Sequence, residues 1–295
     1  MHKKKILCAT DLTERSDRAL QRAALLAQKL DAHVMFVHAV SDAQAGRVVR
    51  MKVNRAHVRL VSQCQRAMKH APERATVAVR LGKWLRVITE VAREWEPDLI
   101  VMATPRRRRV EFLLGTAAER MIRATRRPVL VVSAAATIAY ENVLLATDLS
   151  SMSAHVTRTA ATLGLLESAN TCVVHAFRPP LEGLVTRSSL EQDVVAAHDQ
   201  HWHGWVQREL IENLARAGID PERVRVSARP ARPYDAVQYA MIETRADLLV
   251  IGTSRWFMLK RILFGSVADQ VLRRANCDVL AVSPTVGRAT ALRAA

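Results

Sequence analysis

Ile6-Leu7-Cys8-Ala9-Thr10-Asp11-Leu12-Thr13 returns 137 residues later as Val143-Leu144-Leu145-Ala146-Thr147-Asp148-Leu149-Ser150. Each copy is a short apolar run that ends in Ala-Thr-Asp-Leu and a hydroxyl residue. The same spacing holds at Val37-His38-Ala39 against Val174-His175-Ala176. It has grown to 149 at Pro72-Glu73-Arg74 against Pro221-Glu222-Arg223, and at Asp98-Leu99-Ile100-Val101-Met102 against Asp247-Leu248-Leu249-Val250-Ile251. The second copy therefore carries 12 extra residues after its second strand. At Gly115-Thr116 against Gly265-Ser266, and from there to Ser133 against Ser283, the spacing is 150. Solenoid repeats have far shorter periods, so this is a duplicated domain. Residues 1–137 and 138–295 each have ordinary domain size and can bury a core of their own.

Both halves alternate short apolar runs with helical patterns. The predicted strands are 6–10, 34–38, 76–80, 99–102 and 129–132, then 143–147, 171–175, 225–229, 248–251 and 279–282. They are rich in Val, Ile and Leu and often apolar without alternation, as parallel strands covered on both faces are. Between them, residues 16–30 place Ala19, Leu20, Ala23, Ala24, Leu26, Ala27 and Leu30 on one helical stripe. Residues 84–95 and 117–124 read the same way. Alternating strand and helix predicts a doubly wound α/β sheet in each half. Ligands of such sheets sit beyond the carboxyl ends of the strands, where strand order reverses. That places Asp11, His38-Ala39 and the segment leading to Gly115-Thr116 at one candidate site. Asp148, His175-Ala176 and the segment leading to Gly265-Ser266 mark the other.

The opening Met1-His2-Lys3-Lys4-Lys5 is basic, but the apolar run after it is too short for a signal peptide. No apolar run reaches the roughly 18 residues of a membrane span. The four cysteines are scattered without a Cys-x-x-Cys pair. A reducing cytoplasm is the expected location. Charge is divided unevenly. Residues 1–137 hold 27 Lys and Arg against 12 Asp and Glu, and residues 138–295 hold 17 against 16. The first half therefore carries nearly all of the net +16, most densely at Arg106-Arg107-Arg108-Arg109. Such a field is either a solvated basic surface of arginine-rich composition or a surface for an anionic partner: a nucleotide, nucleic acid, an acidic protein or a membrane surface. Few aromatics are present to stack on bases, which weighs against single-strand binding.

The Ala-Thr-Asp strand end and the Gly-containing segment after the fourth strand resemble the universal stress protein family. In ATP-binding members that segment reads Gly, two residues, Gly, nine residues, Gly, then Ser or Thr. Gly252, Gly265 and Ser266 match in register, while Arg255 stands at the middle glycine. The resemblance covers nearly all of both halves. It implies a tandem member: two doubly wound, Rossmann-like parallel sheets of five strands, paired through their last strands (129–132 and 279–282) as a pseudo-dimer within one chain. It further implies an ATP site, with Mg when ATP is bound, in the second half. Thr147, Asp148, His175, Ala176, Gly252, Thr253, Arg255, Gly265, Ser266 and Val267 are its candidate residues. Glycine lets backbone N–H groups approach phosphate, and a helix start favours an anion. Ser266 equally suits a plain N-cap. Asp148 could face ribose or metal, or cap the next helix.

The first half is further from the pattern. Ala103-Thr104-Pro105-Arg106 replaces the Gly-x-x-Gly segment, and Pro105 removes a donor. Asp11, Ala39, Gly115 and Thr116 are its remaining candidates, for an anion site or a structural role. His198, His201 and His203 offer too few ligands on one helix face for a structural zinc, so no metal site is assigned. No catalytic set appears: there is no Gly-x-Ser-x-Gly, no His-Glu-x-x-His and no Walker lysine. The expected function is a non-enzymatic nucleotide-binding or ligand-sensing stress regulator with a regulatory protein partner, and a chain-to-chain homodimer is compatible with it. The alternatives are a polyanion or nucleic-acid adaptor acting through the first half, and a slow ATP hydrolase.

Overall fold

The computed structural model describes residues 3–43, 46–104, 117–133, 138–167, 170–177, 192–253 and 267–283. The first half runs β1 (Lys5–Ala9), α1 (Glu14–Leu30), β2 (His33–Val40), α2 (Gly46–Ala67), β3 (Ala75–Leu81), α3 (Trp84–Trp95), β4 (Leu99–Ala103), α4 (Ala117–Thr125) and β5 (Val129–Val132). The second runs β6 (Asn142–Thr147), α5 (Ser151–Thr162), β7 (Asn170–Phe177), α6 (Gln192–Arg216), β8 (Val224–Pro230), α7 (Pro233–Thr244), β9 (Leu248–Gly252), α8 (Val267–Arg274) and β10 (Asp278–Val282).

All ten strands lie in one sheet, ordered β3-β2-β1-β4-β5-β10-β9-β6-β7-β8. Pairing is parallel within each half. At the middle, β5 and β10 pair antiparallel, with Val131 opposite Val279 and Leu130 opposite Leu280. The two halves therefore join through their last strands, as the resemblance implied. Strand order reverses between β1 and β4 in one half and between β6 and β9 in the other.

Residues alternate between two apolar layers along each strand, as a period of two requires. In β4, Leu99 and Val101 belong to the layer that α1 and α2 line, while Ile100 and Met102 belong to the layer that α3 and α4 line. The helices supply matching stripes: Val87, Ile88, Val91 and Ala92 are the buried face of α3.

A buried polar cluster ties the halves together beside the β5–β10 seam. Arg22 of α1 places Nε 3.1 Å from Asp278 Oδ2. Its Nη1 donates to the Ile138 carbonyl at 2.8 Å, and its guanidinium lies 3.9 Å from the Tyr140 ring centre. The Tyr140 hydroxyl donates to Asp278 Oδ2 at 2.7 Å, and the Ser133 amide donates to Oδ1 at 2.8 Å. Asp278 is fully buried. Burial and the adjacent carboxylate hold the Tyr140 phenol well above its usual range, which keeps it a donor. In the other helix layer, Arg273 of α8 meets the buried Glu119 of α4 at 3.4 Å.

Candidate functional site

Each copy of the repeated stretch folds into the same turn. In the second half, Leu149 takes φ of 60° and its amide donates to Thr147 Oγ1 at 3.2 Å. Asp148 Oδ1 accepts from the Ser150 amide at 3.0 Å and from the Ser150 hydroxyl at 2.5 Å. It also accepts from the Ser153 hydroxyl at 2.5 Å, and Ser153 Oγ in turn accepts from the Asp148 amide at 3.0 Å. In the first half Leu12 takes φ of 62°, its amide donates to Thr10 Oγ1, and Asp11 Oδ1 accepts from Thr13 and Ser16. The carboxylate thus organises the strand-to-helix turn in both halves through one oxygen. Among the described residues, Oδ2 of Asp148 has no hydrogen-bond partner. Ser16 and Ser153 were missed as members of this turn, although the 137-residue spacing aligns them too.

These contacts decide how the aspartates titrate. Partial burial raises both pKa values, but the hydroxyl and amide donors outweigh it and leave both below the ordinary 3.8. A depressed carboxylate stabilises the fold above its unfolded pKa, and the contribution disappears as pH falls through the folded value. Stability is therefore expected to drop below about pH 3.8. In urea unfolding compared on the two sides of that value, an Asp11→Asn/Asp148→Asn chain should lose less stability than the parent. Identical losses would contradict this.

The two strand-end histidines are braces. His175 Nδ1 lies 2.9 Å from the Thr147 carbonyl, and His38 Nδ1 lies 2.9 Å from the Thr10 carbonyl. A carbonyl only accepts, so Nδ1 carries the proton in both. His175 thereby ties β7 to the end of β6, and Ala176, the next residue, faces the site.

Thr147, Asp148, Ala176, Gly252, Thr253 and Val267 come together around one cavity of about 460 Å³ at the carboxyl ends of β6, β7 and β9. Its inner walls are apolar, with Val174, Ala236, Val237 and Ile251 among them. Thr253 contributes wall rather than a hydroxyl: it is fully buried, and its N–H and Oγ1 both donate to the Val282 carbonyl, at 2.9 and 3.3 Å. Gly252 has a packing reason of its own. A Cβ there would stand 2.9 Å from Val156 Cγ2 of α5. Arg255, Gly265 and Ser266 lie outside the described residues, as do Gly115, Thr116 and Arg106 to Arg109. In the first half, Asp11 and Ala39 hold the positions that Asp148 and Ala176 hold in the second.

His201 and His203 lie on α6, with the His203 ring edge-on to Phe177 at 5.6 Å. No cluster that could hold a metal occurs among the described residues. Among the same residues, no helix is long and apolar enough to cross a membrane.

A doubled α/β sheet with a cavity at the carboxyl ends of its strands defines a tandem protein of the doubly wound class. The universal stress protein family model matches residues 3–133 and again residues 139–283, so the chain belongs to the universal stress protein family, with two tandem copies. A universal stress protein of Bacillus subtilis (strain 168), YxiE, is 28% identical over 154 residues, which is 48% of this chain and 99% of the relative. A solved universal stress protein from Archaeoglobus fulgidus DSM 4304 is similar over 96% of this chain and 99% of its own, with a TM-score of 0.67 at 16% identity. A protein of unknown function from Pseudomonas aeruginosa PAO1, PA1789, is similar over 96% and 93%, with a TM-score of 0.63 at 16% identity. At such identities the solved structures speak for the fold alone.

Proposed function

We propose that the second domain, residues 138–295, binds a nucleotide beside Asp148, with ATP and Mg as the first candidates. In this reading the protein senses that ligand and passes its state to a regulatory partner, without turning it over. The observation that carries the reading is the cavity at the ends of β6, β7 and β9. Its volume of about 460 Å³ lies within the range of small-molecule sites. Its apolar walls suit a planar base. Asp148 Oδ2, with no partner among the described residues, suits a ribose hydroxyl or a hydrated cation. Gly265 and Ser266 then serve the phosphates, as the family resemblance implies, while Arg255, where the family has glycine, offers a charge that could pair with them. The first domain keeps the Asp11 turn, and its role is structural or anion-facing.

Mass analysis of ligand released from the purified protein names the ligand class without presuming it. In calorimetry with ATP, Gly265→Asp is expected to weaken binding by about 100-fold or more, since it sets a carboxylate against phosphate. Equal affinity in parent and variant would reject the site.

A further inference from the structure

The charge of the first half has a structural address in α2. The helix contains Arg47, Arg50, Lys52, Arg55, Arg59 and Arg66 and not one Asp or Glu. Val49, Ala56, Leu60 and Cys64 are its buried face, packed over β2 and β3 at the end of the ten-stranded sheet. Met51 and Val58 stand on the opposite side, 68% and 70% exposed, with Val48 beside them at 46%. Seven residues separate Met51 from Val58, so they share one crest two turns apart. Arg47 and Arg50 flank that crest on one side, Arg55 and Arg59 on the other. Among the described residues none of these four arginines has an acidic partner.

The duplication supplies an internal control. Aligned on their buried faces, with Ala56, Leu60 and Cys64 on Val206, Leu210 and Leu214, α2 corresponds to the stretch of α6 from residue 196 onward. The sequence of that stretch holds Asp199, Glu209 and Glu212 alongside Arg208 and Arg216, and Arg216 is paired with both glutamates. The fold therefore does not require a basic helix at this position.

We propose that α2 docks the protein on an anionic lipid surface. An apolar crest flanked by arginines is the pattern of a helix lying in the headgroup region. The crest side chains leave water at the acyl boundary, while the arginines reach the lipid phosphates. A ridge at the end of the sheet meets a plane with no groove needed in the partner. Nucleic acid fits this surface less well: α2 has no Phe, Tyr or Trp, only His57, to stack on a base, and Met51 and Val58 gain nothing from phosphate.

The test is co-sedimentation of the full chain with vesicles of phosphatidylglycerol and, separately, of phosphatidylcholine. Binding is expected to phosphatidylglycerol alone and to weaken with salt. Arg50→Glu/Arg55→Glu/Arg59→Glu should reduce partitioning by well over about 100-fold: loss of three basic residues at their usual contribution gives that factor, and the three carboxylates add repulsion. Met51→Ser/Val58→Ser should reduce it about tenfold and keep the salt dependence. Both sets lie on the exposed side of α2, and circular dichroism checks that the fold is kept. Should the reversal variant fail to fold, Arg→Gln at the same positions replaces it. The proposal is overturned by absence of binding to phosphatidylglycerol, or by arginine variants that bind like the parent. It is equally overturned by a Met51/Val58 variant of parental affinity, or by tighter binding to duplex DNA than to the vesicles, which would assign the surface to nucleic acid.

Discussion

Asp278→Ala is expected to lower the free energy of unfolding by about 3–5 kcal/mol. The carboxylate is fully buried and holds Arg22 Nε, the Tyr140 hydroxyl and the Ser133 amide at once. Removing it leaves the buried Arg22 guanidinium charged without a counter-ion among the described residues, with the Ile138 carbonyl and the Tyr140 ring beside it. The loss is mostly that of an uncompensated charge, so removing both partners is milder. Arg22→Met/Asp278→Leu should recover much of the deficit, because paired hydrophobic replacements at buried ion pairs are often near neutral. Tyr140→Phe deletes one donor and should cost about 1 kcal/mol. Urea unfolding of the variants reads these differences. A change below about 1 kcal/mol for Asp278→Ala would mean that the cluster adds nothing to the junction. The cluster joins α1 of the first half to β10 of the second, so its loss should also let the halves unfold as separate transitions.

Gly252→Ala should cost about 2 kcal/mol, and its cost should depend on Val156. The added Cβ would lie 2.9 Å from Val156 Cγ2, and Val156 is buried with little room to yield. The first half shows the other solution: Ala103 stands where Gly252 does, and Ala19 where Val156 does. A large side chain on the helix goes with glycine on the strand, and a small one goes with alanine. Val156→Ala alone opens space and should cost about 2 kcal/mol. Joined with Gly252→Ala it rebuilds the pair of the first half, and the double variant should be no worse than either single one. A coupling of about 2 kcal/mol in that cycle is the expected result. Strict additivity would show that the contact is relieved elsewhere.

Much of this fold could be read from the sequence because its signals are local. Most strands are short runs of branched apolar residues, and the predicted 129–132 matches β5 residue for residue. The helix read at 84–95 coincides with α3, whose apolar stripe is strong. β2 and β7 extend beyond the predicted 34–38 and 171–175 at both ends. At their starts the polar His33 and Asn170 continue the hydrogen-bond ladder without continuing the apolar pattern, and at their far ends the ladder runs on past His38 and His175. α2 was not read at all: its crest mixes Met51 and Val58 with arginines and blurs the period. At the candidate site the repeat pointed to Asp148 and Ala176 and the family resemblance to Gly252, and the cavity joins them. It did not reveal that Thr253 spends its hydroxyl on β10 or that His175 braces β6. Those roles depend on partners 28 or more residues away. Arg22 and Asp278 are 256 residues apart and belong to no repeated motif, so no local pattern announces them.

The antiparallel pairing of β5 with β10 has an evolutionary corollary. In a two-fold homodimer every substitution appears twice, once in each subunit, and must be tolerated in both settings. Here the two partners are encoded separately, so a change falls on one side only. One copy could set Ala103 at the end of its fourth strand and gather arginines on α2 while the other kept Gly252 and a balanced α6. The covalent link also makes the pairing insensitive to dilution, since each half always has its partner at a fixed effective concentration. Fusion freed the two halves to specialise without the risk of coming apart.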